Sequence, residues 1–397
     1  MKKELILEEW AVLRDWLPQD LEASAKENGF IRRSSGRVNA EIWLRLILMH
    51  VVGGLSLKQT MLRASELGWA ELSAVALFKR LRVAQPWLSK LCAEQLAYQQ
   101  SRLDEDTPWP KELQVRLIDA TDVQEPGSTG TAWRVHYSLR MPHMVCDHFE
   151  ITDAKGGEKF GRFDFGKEEL VVADRGYCHR PGLAHVLDSG AHGLVRWNPP
   201  CFPLERSCSA SSSLLEWLKR LPARASRECP VWFRNDDRRY QLRLCAVRKS
   251  RLATERAQQK LLKAARERGY QVREDNLEYA RYVMVLCSAP ADMLPCHSAL
   301  ELYRGRWQVE LAFKRLKSLL DAGHVPKESD DSARAWMQAK ILSALLIERT
   351  LWTGEFLSPW GYVIGYRGAS QSVDTLRGGS RLPERHSCSP VESSALA

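Results

Sequence analysis

The sequence predicts an α/β fold that follows a helical N-terminal region. Two apolar runs rich in Val, Leu and Ile, Val115–Ala120 and Leu170–Ala173, are typical of buried strands in a sheet with parallel pairing. The stretch Leu302–Leu320 carries apolar residues at spacings of three, four and seven, which predicts an amphipathic helix. Before about residue 105 the periodicity is helical. We therefore expect strands and helices to form a core from about residue 106 onwards.

The N-terminal region contains a helix, a glycine break and a basic helix. Leu57–Leu67 precedes Gly68, and Glu71–Val83 then carries Lys79 and Arg80. This order is compatible with a helix-turn-helix that places its second helix in a groove of DNA. A plain helical bundle with exposed basic residues would give the same pattern, and the residues alone leave both interpretations open.

An aspartate follows each of the two predicted strands. Asp119 lies at the end of the first apolar run and Asp174 at the end of the second. The carboxyl ends of strands are the edge where open α/β sheets bind ligands. An isolated aspartate in this position also serves as a turn former or a helix cap. The pair is therefore a candidate site only together with further acidic residues.

The predicted helix has a second face, on which Tyr303, Arg306, Glu310, Lys314 and Lys317 recur at helical spacing. A solvated face with ion pairs around Glu310 is one interpretation. The order Tyr303, Arg306, Glu310 and Lys317 also matches the pattern Y-x2-R-x3-E-x6-K. This pattern is the signature of the DDE transposases of bacterial insertion sequences, of the IS-four type, which the chain resembles.

The resemblance extends over about residues 5–355. The DAT sequence at Asp119 and the DRGY sequence at Asp174 are similar to the first and second acidic motifs of that family. It implies a ribonuclease-H-like catalytic core in which Asp119, Asp174 and Glu310 bind two Mg²⁺ ions, with Mn²⁺ as a substitute. Carboxylate oxygens are the ligands that such ions prefer. The residues expected to contact DNA are Tyr303, Arg306, Lys314, Lys317, Lys79 and Arg80.

The resemblance also implies an activity. It predicts an enzyme that cuts double-stranded DNA at the terminal inverted repeats of an insertion sequence and joins the ends to target DNA by two-metal phosphoryl transfer. A homodimer on DNA is expected, because both ends are processed together. Two alternatives stay open: a structure-specific endonuclease of the same fold, and a decayed transposase remnant that binds DNA without cutting it.

Pattern and resemblance together divide the chain into five segments. Hydrophobic periodicity is lost in the last of them, where Gly, Ser, Arg and Pro dominate, and this composition predicts disorder. Ser298 is expected to cap the helix that carries Glu310. The segments are a helical DNA-binding domain at 1–105, the first part of the catalytic core at 106–197, a mainly β insertion domain at 198–290, the second part of the core at 291–355 and a disordered tail at 356–397.

Composition, charge and motif spacing restrict the class of protein to which this chain can belong. A net charge of +9 suits a polyanionic partner. The sequence has no apolar run long enough to span a membrane, and its ten cysteines are scattered without zinc-finger spacing. We expect reduced thiols in a cytoplasmic, nucleoid-associated protein. The segment from Gly161 to Lys167 resembles a phosphate-binding loop, but Glu168 replaces the required Ser or Thr, so no nucleotide cofactor is expected.

Overall fold

The computed structural model describes residues 10–32, 38–103, 113–125, 130, 132–141, 145–206, 213–222, 225–306, 325–326 and 329–356. Its N-terminal part is helical, as predicted. Asn39, Ser56 and Ser73 each begin a helix by accepting a hydrogen bond from a backbone N–H of its first turn. The helices described here are α1 (Leu21–Glu27), α2 (Ala40–Val51), α3 (Leu57–Glu66), α4 (Ala74–Arg82) and α5 (Gln85–Leu103).

The described strands form one eight-stranded mixed sheet in the order β3-β2-β1-β4-β5-β8-β7-β6. β1, β4 and β5 are parallel, and the remaining neighbours pair antiparallel. An antiparallel β3-β2-β1 unit followed by parallel β4 and β5 is a ribonuclease-H-like arrangement, as predicted. The strands are β1 (Gln114–Val123), β2 (Trp133–Arg140), β3 (Val145–Asp153), β4 (Glu169–Ala173), β5 (His192–Arg196), β6 (Ser226–Asn235), β7 (Arg238–Arg248) and β8 (Tyr282–Cys287).

Two hydrophobic cores cover the two faces of this sheet. Successive residues of a strand point to opposite faces, so Leu117 of β1 packs in one core and Ile118 in the other. The first core also contains buried residues of the N-terminal helices, among them Trp87, whose ring stacks on Phe30 at 4.6 Å between centroids. The predicted N-terminal domain therefore shares its core with the sheet.

The predicted insertion at 198–290 contributes β6, β7 and β8. These strands extend the central sheet, because β8 pairs with β5, β7 with β8 and β6 with β7. In the described residues, the predicted insertion is thus part of the same sheet as the catalytic core. The boundaries of an insertion domain at 198–290 remain a prediction. The helices after β4 are α6 (Arg180–Asp188), α7 (Leu214–Lys219), α8 (Arg251–Glu267), α9 (Glu274–Tyr279), α10 (Cys296–Gly305) and α11 (Asp330–Phe356).

Helix α10 overlaps the predicted helix Leu302–Leu320 only over its first four residues, because α10 ends at Gly305. It begins at Cys296, directly after Pro295, so Ser298 lies inside its first turn. The prediction that Ser298 caps this helix is therefore wrong, because Pro295 precedes the first helical residue and the helix starts three residues earlier than a cap at Ser298 would place it. Residues 307–324 and 357–397, which include Glu310 and most of the predicted tail, lie outside the described residues.

A buried ion cluster joins β1, β2, β3 and β4 where β1 and β4 begin. Arg116 contacts Asp147 at 3.1 Å and Glu169 at 3.4 Å, and Arg140 binds the same two carboxylates. The Asp147 side chain is completely buried, and a buried charge of this kind is stable only when it is paired. These two acids are therefore compensated structural groups, and they stand apart from the acids of the candidate site.

Candidate catalytic site

The pairing of β1 with β4 brings Asp119 and Asp174 to one place. The parallel register aligns Ile118 with Ala173, so the two aspartates are the next residues on adjacent strands. β4 ends at Ala173, and Asp174 follows it as predicted. β1 instead continues to Val123, paired with β2. The expectation that Asp119 ends its strand is therefore wrong: it lies inside β1, at the point where the neighbouring β4 ends.

The last turn of α10 contacts both aspartates. The hydroxyl of Tyr303 donates a hydrogen bond to Oδ1 of Asp174 at 3.0 Å, and Nη1 of Arg306 donates to Oδ2 of Asp119 at 3.0 Å. Tyr303 is buried, with 8% of its surface exposed. Two residues of the sequence signature thus lie against the two predicted catalytic acids, although 129 and 187 positions separate the partners along the chain.

Asp119 is electrostatically unfavourable as an anion. Burial raises the pKa of its carboxyl group to about 6, and the negative charges of Asp174 and Glu158 act in the same direction. The N–H of Ala120, which donates to Oδ1 at 2.9 Å, and the guanidinium of Arg306 only partly offset this effect. The carboxylate would gain from a further cation beside it.

At Asp174, unlike Asp119, neighbouring groups outweigh the effect of burial on the pKa of the carboxyl group. Burial acts to raise the pKa of Asp174. The backbone N–H of Arg175, the guanidinium of Arg306 and the hydroxyl of Tyr303 outweigh burial, so the net shift is below the ordinary value. Asp174 therefore ionises at a lower pH than Asp119 does.

Glu158 is a third carboxylate at this place, and the sequence analysis did not select it. Burial raises its pKa, and the charges of Asp174 and Asp122 add to the effect. Its carboxylate lies against Gly176, where an added Cβ would overlap it. One feature of the sequence could have identified Glu158 as a site residue. It follows two glycines in the loop that connects β3 to β4, and this loop returns to the same edge of the sheet.

The backbone of Glu158 is held by His179. The ring of His179 caps α6, because its Nδ1 accepts a hydrogen bond from the N–H of Gly182 at 3.2 Å. With Nδ1 as the acceptor, Nε2 carries the hydrogen and donates to the Glu158 carbonyl at 3.0 Å. Glu158 is thus fixed through the start of the helix that follows the Asp174 turn.

The donor set of this site fits a divalent cation. Asp119, Asp174 and Glu158 supply carboxylate oxygens, the donors that hard cations such as Mg²⁺ and Mn²⁺ bind. Burial is the main cause of the raised pKa values of Asp119 and Glu158, and repulsion from the neighbouring carboxylates adds to it. A divalent ion would stabilise the ionised form of these carboxyl groups.

The remaining predicted site residues are placed as follows. Glu310, Lys314 and Lys317 lie outside the described residues. Lys79 is exposed on α4. Arg80 is engaged within the protein: its Nη1 donates to the carbonyl of Phe30 at 2.5 Å, and its guanidinium lies over the Phe30 ring. The structure thus brings Tyr303 and Arg306 to the two aspartates and directs Arg80 inwards.

Among the helices of the described residues, none combines the length and the apolar character that crossing a bilayer requires.

Comparisons with known proteins agree with this geometry. A family model described as the transposase DDE domain matches residues 110–346. The protein InsL of insertion sequence element IS186A from Escherichia coli (strain K12) is 32% identical over 83% of this chain and 90% of its own length. The transposase for insertion sequence element IS421 from Escherichia coli has the same identity and coverage.

A solved structure and a more distant relative also match. The transposase for insertion sequence element IS231F from Bacillus thuringiensis subsp. israelensis is 21% identical over 60% of this chain and 56% of its own. The piggyBac transposase in a synaptic complex with hairpin DNA covers 86% of this chain and 75% of its own, with a TM-score of 0.42 and 10% identity. The family match over most of the chain, together with the two aspartates and the signature residues that contact them, shows that this chain belongs to the DDE transposase family.

Proposed function

We propose that this chain is a DNA transposase that cuts the ends of an insertion sequence and joins them to target DNA. One observation carries the proposal: Tyr303 and Arg306, from the family signature, bind the carboxylates of Asp174 and Asp119. Relatives at 32% identity over most of both chains include a protein named as the transposase of an insertion sequence. A protein of the DDE family is an enzyme of DNA transposition, and its substrate is DNA.

Asp119, Asp174 and Glu310 would hold the divalent ions, and we propose Mg²⁺ as the physiological metal. When bound, two such ions supply activation of the attacking oxygen and charge stabilisation of the leaving oxygen. The parallel register of β1 and β4 sets the spacing of the two aspartates. Tyr303 orients Asp174, and Arg306 orients Asp119.

Glu158 supports this assignment as an additional carboxylate beside the two aspartates. It contributes to the raised pKa of Asp119, so the two groups act on each other. Burial and the close approach of Gly176 limit the positions that its carboxylate can take. We propose that Glu158 increases the negative charge that would attract a divalent ion to this site.

Contacts with DNA are assigned to both parts of the chain. Lys317 and Lys314 would neutralise phosphates near the cut, and Lys79 would do so on the N-terminal helices. We further propose a homodimer on DNA at the nucleoid, because the two ends of one element must be cut in one complex.

The test is cleavage of linear DNA that carries the terminal repeats of the element encoding this chain, with Mg²⁺ or with EDTA. Wild-type protein should cut at the repeat ends only with the metal and should transfer the new 3′ ends to a second DNA. Glu310→Gln should bind the same DNA and leave it uncut. Normal cutting by Glu310→Gln would contradict the assignment of the third acid.

The matched control is Glu301→Gln, which changes the same residue type on the exposed surface of α10. Glu301 pairs with Arg304 in solvent, and such pairs contribute little to stability. Its activity should equal that of the wild type. Cutting without transfer of the 3′ ends would indicate an endonuclease of the same fold, and binding without cutting by the wild type would indicate a decayed copy.

A further inference from the structure

Glu228, Cys245 and Cys296 form a cluster away from the candidate catalytic acids. Glu228 on β6 and Cys245 on β7 are cross-strand partners, and Cys296 is the first residue of α10. One carboxylate oxygen and the two Sγ atoms all lie within 4.8 Å of one another. Three residues that are distant in the sequence therefore bring three ligand atoms to one point.

The atoms of this cluster are the donors that zinc prefers. Zn²⁺ binds thiolates and carboxylates in a tetrahedral arrangement, at distances of about 2.0 to 2.3 Å. Ligand atoms around such an ion must approach one another closely, as these three do. Cys296 and Glu228 are accessible to solvent, whereas Cys245 is buried. The cluster is thus open to solvent on the side of Glu228 and Cys296.

The charges around the cluster also suit a divalent ion. Two thiolates and one carboxylate would carry three negative charges, which Zn²⁺ reduces to one. Arg243 supplies the balancing positive charge, because its Nη1 lies 2.6 Å from Oε2 of Glu228. An outer partner that binds a ligating carboxylate is a common feature of metal sites, where it fixes the orientation of the ligand.

The two thiols and the carboxylate are in mutual contact. The Sγ of Cys245 lies 3.7 Å from Oε2 of Glu228, and the Sγ of Cys296 lies within the same group of ligand atoms. Metals bind the deprotonated, thiolate form of cysteine.

We propose that Glu228, Cys245 and Cys296 form a zinc site that fastens the start of α10 to β6 and β7. A disulfide between the two cysteines would need no carboxylate, so the presence of Glu228 and its arginine favours the metal. The site has a structural consequence, because α10 also carries Tyr303, which contacts Asp174. Zinc would hold one end of α10 while the other end lies at the catalytic acids.

The test is titration of the reduced, metal-free full chain with Co²⁺ under anaerobic conditions. One equivalent of Co²⁺ should produce a sulfur-to-cobalt charge-transfer band in the near ultraviolet. Binding of Co²⁺ to carboxylates alone gives no such band, so the result is independent of the catalytic acids. Addition of Zn²⁺ should remove the band by displacement. Absence of the band in the wild type would overturn the proposal.

Matched variants locate the ligands. Cys296→Ser and Cys245→Ser should each clearly lower the intensity of the band, because one of the two thiolates is lost, and should weaken Zn²⁺ binding at least about tenfold, a loss that even an outer partner of a ligand can cause. Cys201→Ser changes an exposed free cysteine outside the cluster and should keep the band. Circular dichroism of each variant verifies that it is folded. A band of wild-type intensity in folded Cys296→Ser protein would contradict the assignment.

Discussion

Arg306 and Asp119 form a partly buried ion pair between the last turn of α10 and the middle of β1, with 3.0 Å between Nη1 and Oδ2. Their side chains expose only 13% and 16% of their surfaces. The pair joins a residue of the family signature to the first acid of the candidate site. Charged hydrogen bonds in such surroundings contribute more to stability than exposed ion pairs do.

Arg306→Ala should lower the free energy of unfolding of the metal-free protein by about 2 kcal/mol, because Asp119 would lose a charged partner. Urea unfolding in EDTA measures this quantity. Arg304→Ala is the matched control: Arg304 pairs with Glu301 in solvent, and its loss should change stability by less than about 1 kcal/mol. Equal effects of the two variants would show that the Arg306 pair contributes nothing special.

Gly176→Ala should reduce DNA cleavage by about 10- to 100-fold, since the added methyl group would displace the Glu158 carboxylate and small displacements at a reacting centre have effects of this size. The measurement is the cleavage rate at saturating DNA. Gly161→Ala, whose added Cβ meets no atom within 4 Å, should cut at the wild-type rate. An unchanged rate for Gly176→Ala would remove Glu158 from the site.

Acid should destabilise the protein through His136. Burial lowers the pKa of this ring to about 4, compared with an ordinary value of 6.5, so the unfolded chain takes up a proton at higher pH than the folded one. This pKa shift contributes at most about 3 kcal/mol to the free energy of unfolding. The contribution is fully present above pH 6.5 and is lost as the pH drops towards 4. Urea unfolding at a series of pH values measures it.

His136→Gln should flatten this pH dependence, because it removes the titrating ring. The control is His297→Gln, which changes an exposed ring on α10 and should leave the curve of the wild type unchanged. If the curves of wild type and His136→Gln are parallel between pH 6.5 and 4, the ring is not the source of the acid sensitivity.

Lys79 and Arg80 should respond differently to replacement. Lys79→Ala should weaken DNA binding and reduce the dependence of log K on log salt by about one unit, as expected for one phosphate contact. Arg80→Ala should instead lower the free energy of unfolding by about 1 to 3 kcal/mol, because its guanidinium binds the Phe30 carbonyl. Filter binding at several salt concentrations and urea unfolding separate the two effects.

Much of the catalytic architecture could be predicted from local patterns. An aspartate that follows an apolar run and the spacing from Tyr303 to Arg306 are short-range features, and the structure brings their residues together. The end of β1 was misjudged because antiparallel pairing with β2 carries the strand past Asp119. The strand propensity of local residues does not show how far pairing with an adjacent strand extends a strand.

Other features depend on distant parts of the chain. Glu158 joins the aspartates through a loop whose course is set by the cap at His179, and no periodic pattern marks it. Cys245 and Cys296 meet because α10 packs on β7, so spacing along the chain could not reveal them. The inward direction of Arg80 follows from tertiary contacts with Phe30, which overrule its position on a basic helix.

The distance in sequence between the acids and their partners also affects synthesis of the protein. Tyr303 follows Asp174 by 129 residues. At synthesis rates of about 5 to 20 residues per second, the ribosome needs roughly 6 to 26 s to make this interval. During that time a nascent chain contains both aspartates but neither Tyr303 nor Arg306. An unfinished chain therefore cannot complete this site, and a ribosome that stalls before residue 303 releases a product without these two contacts.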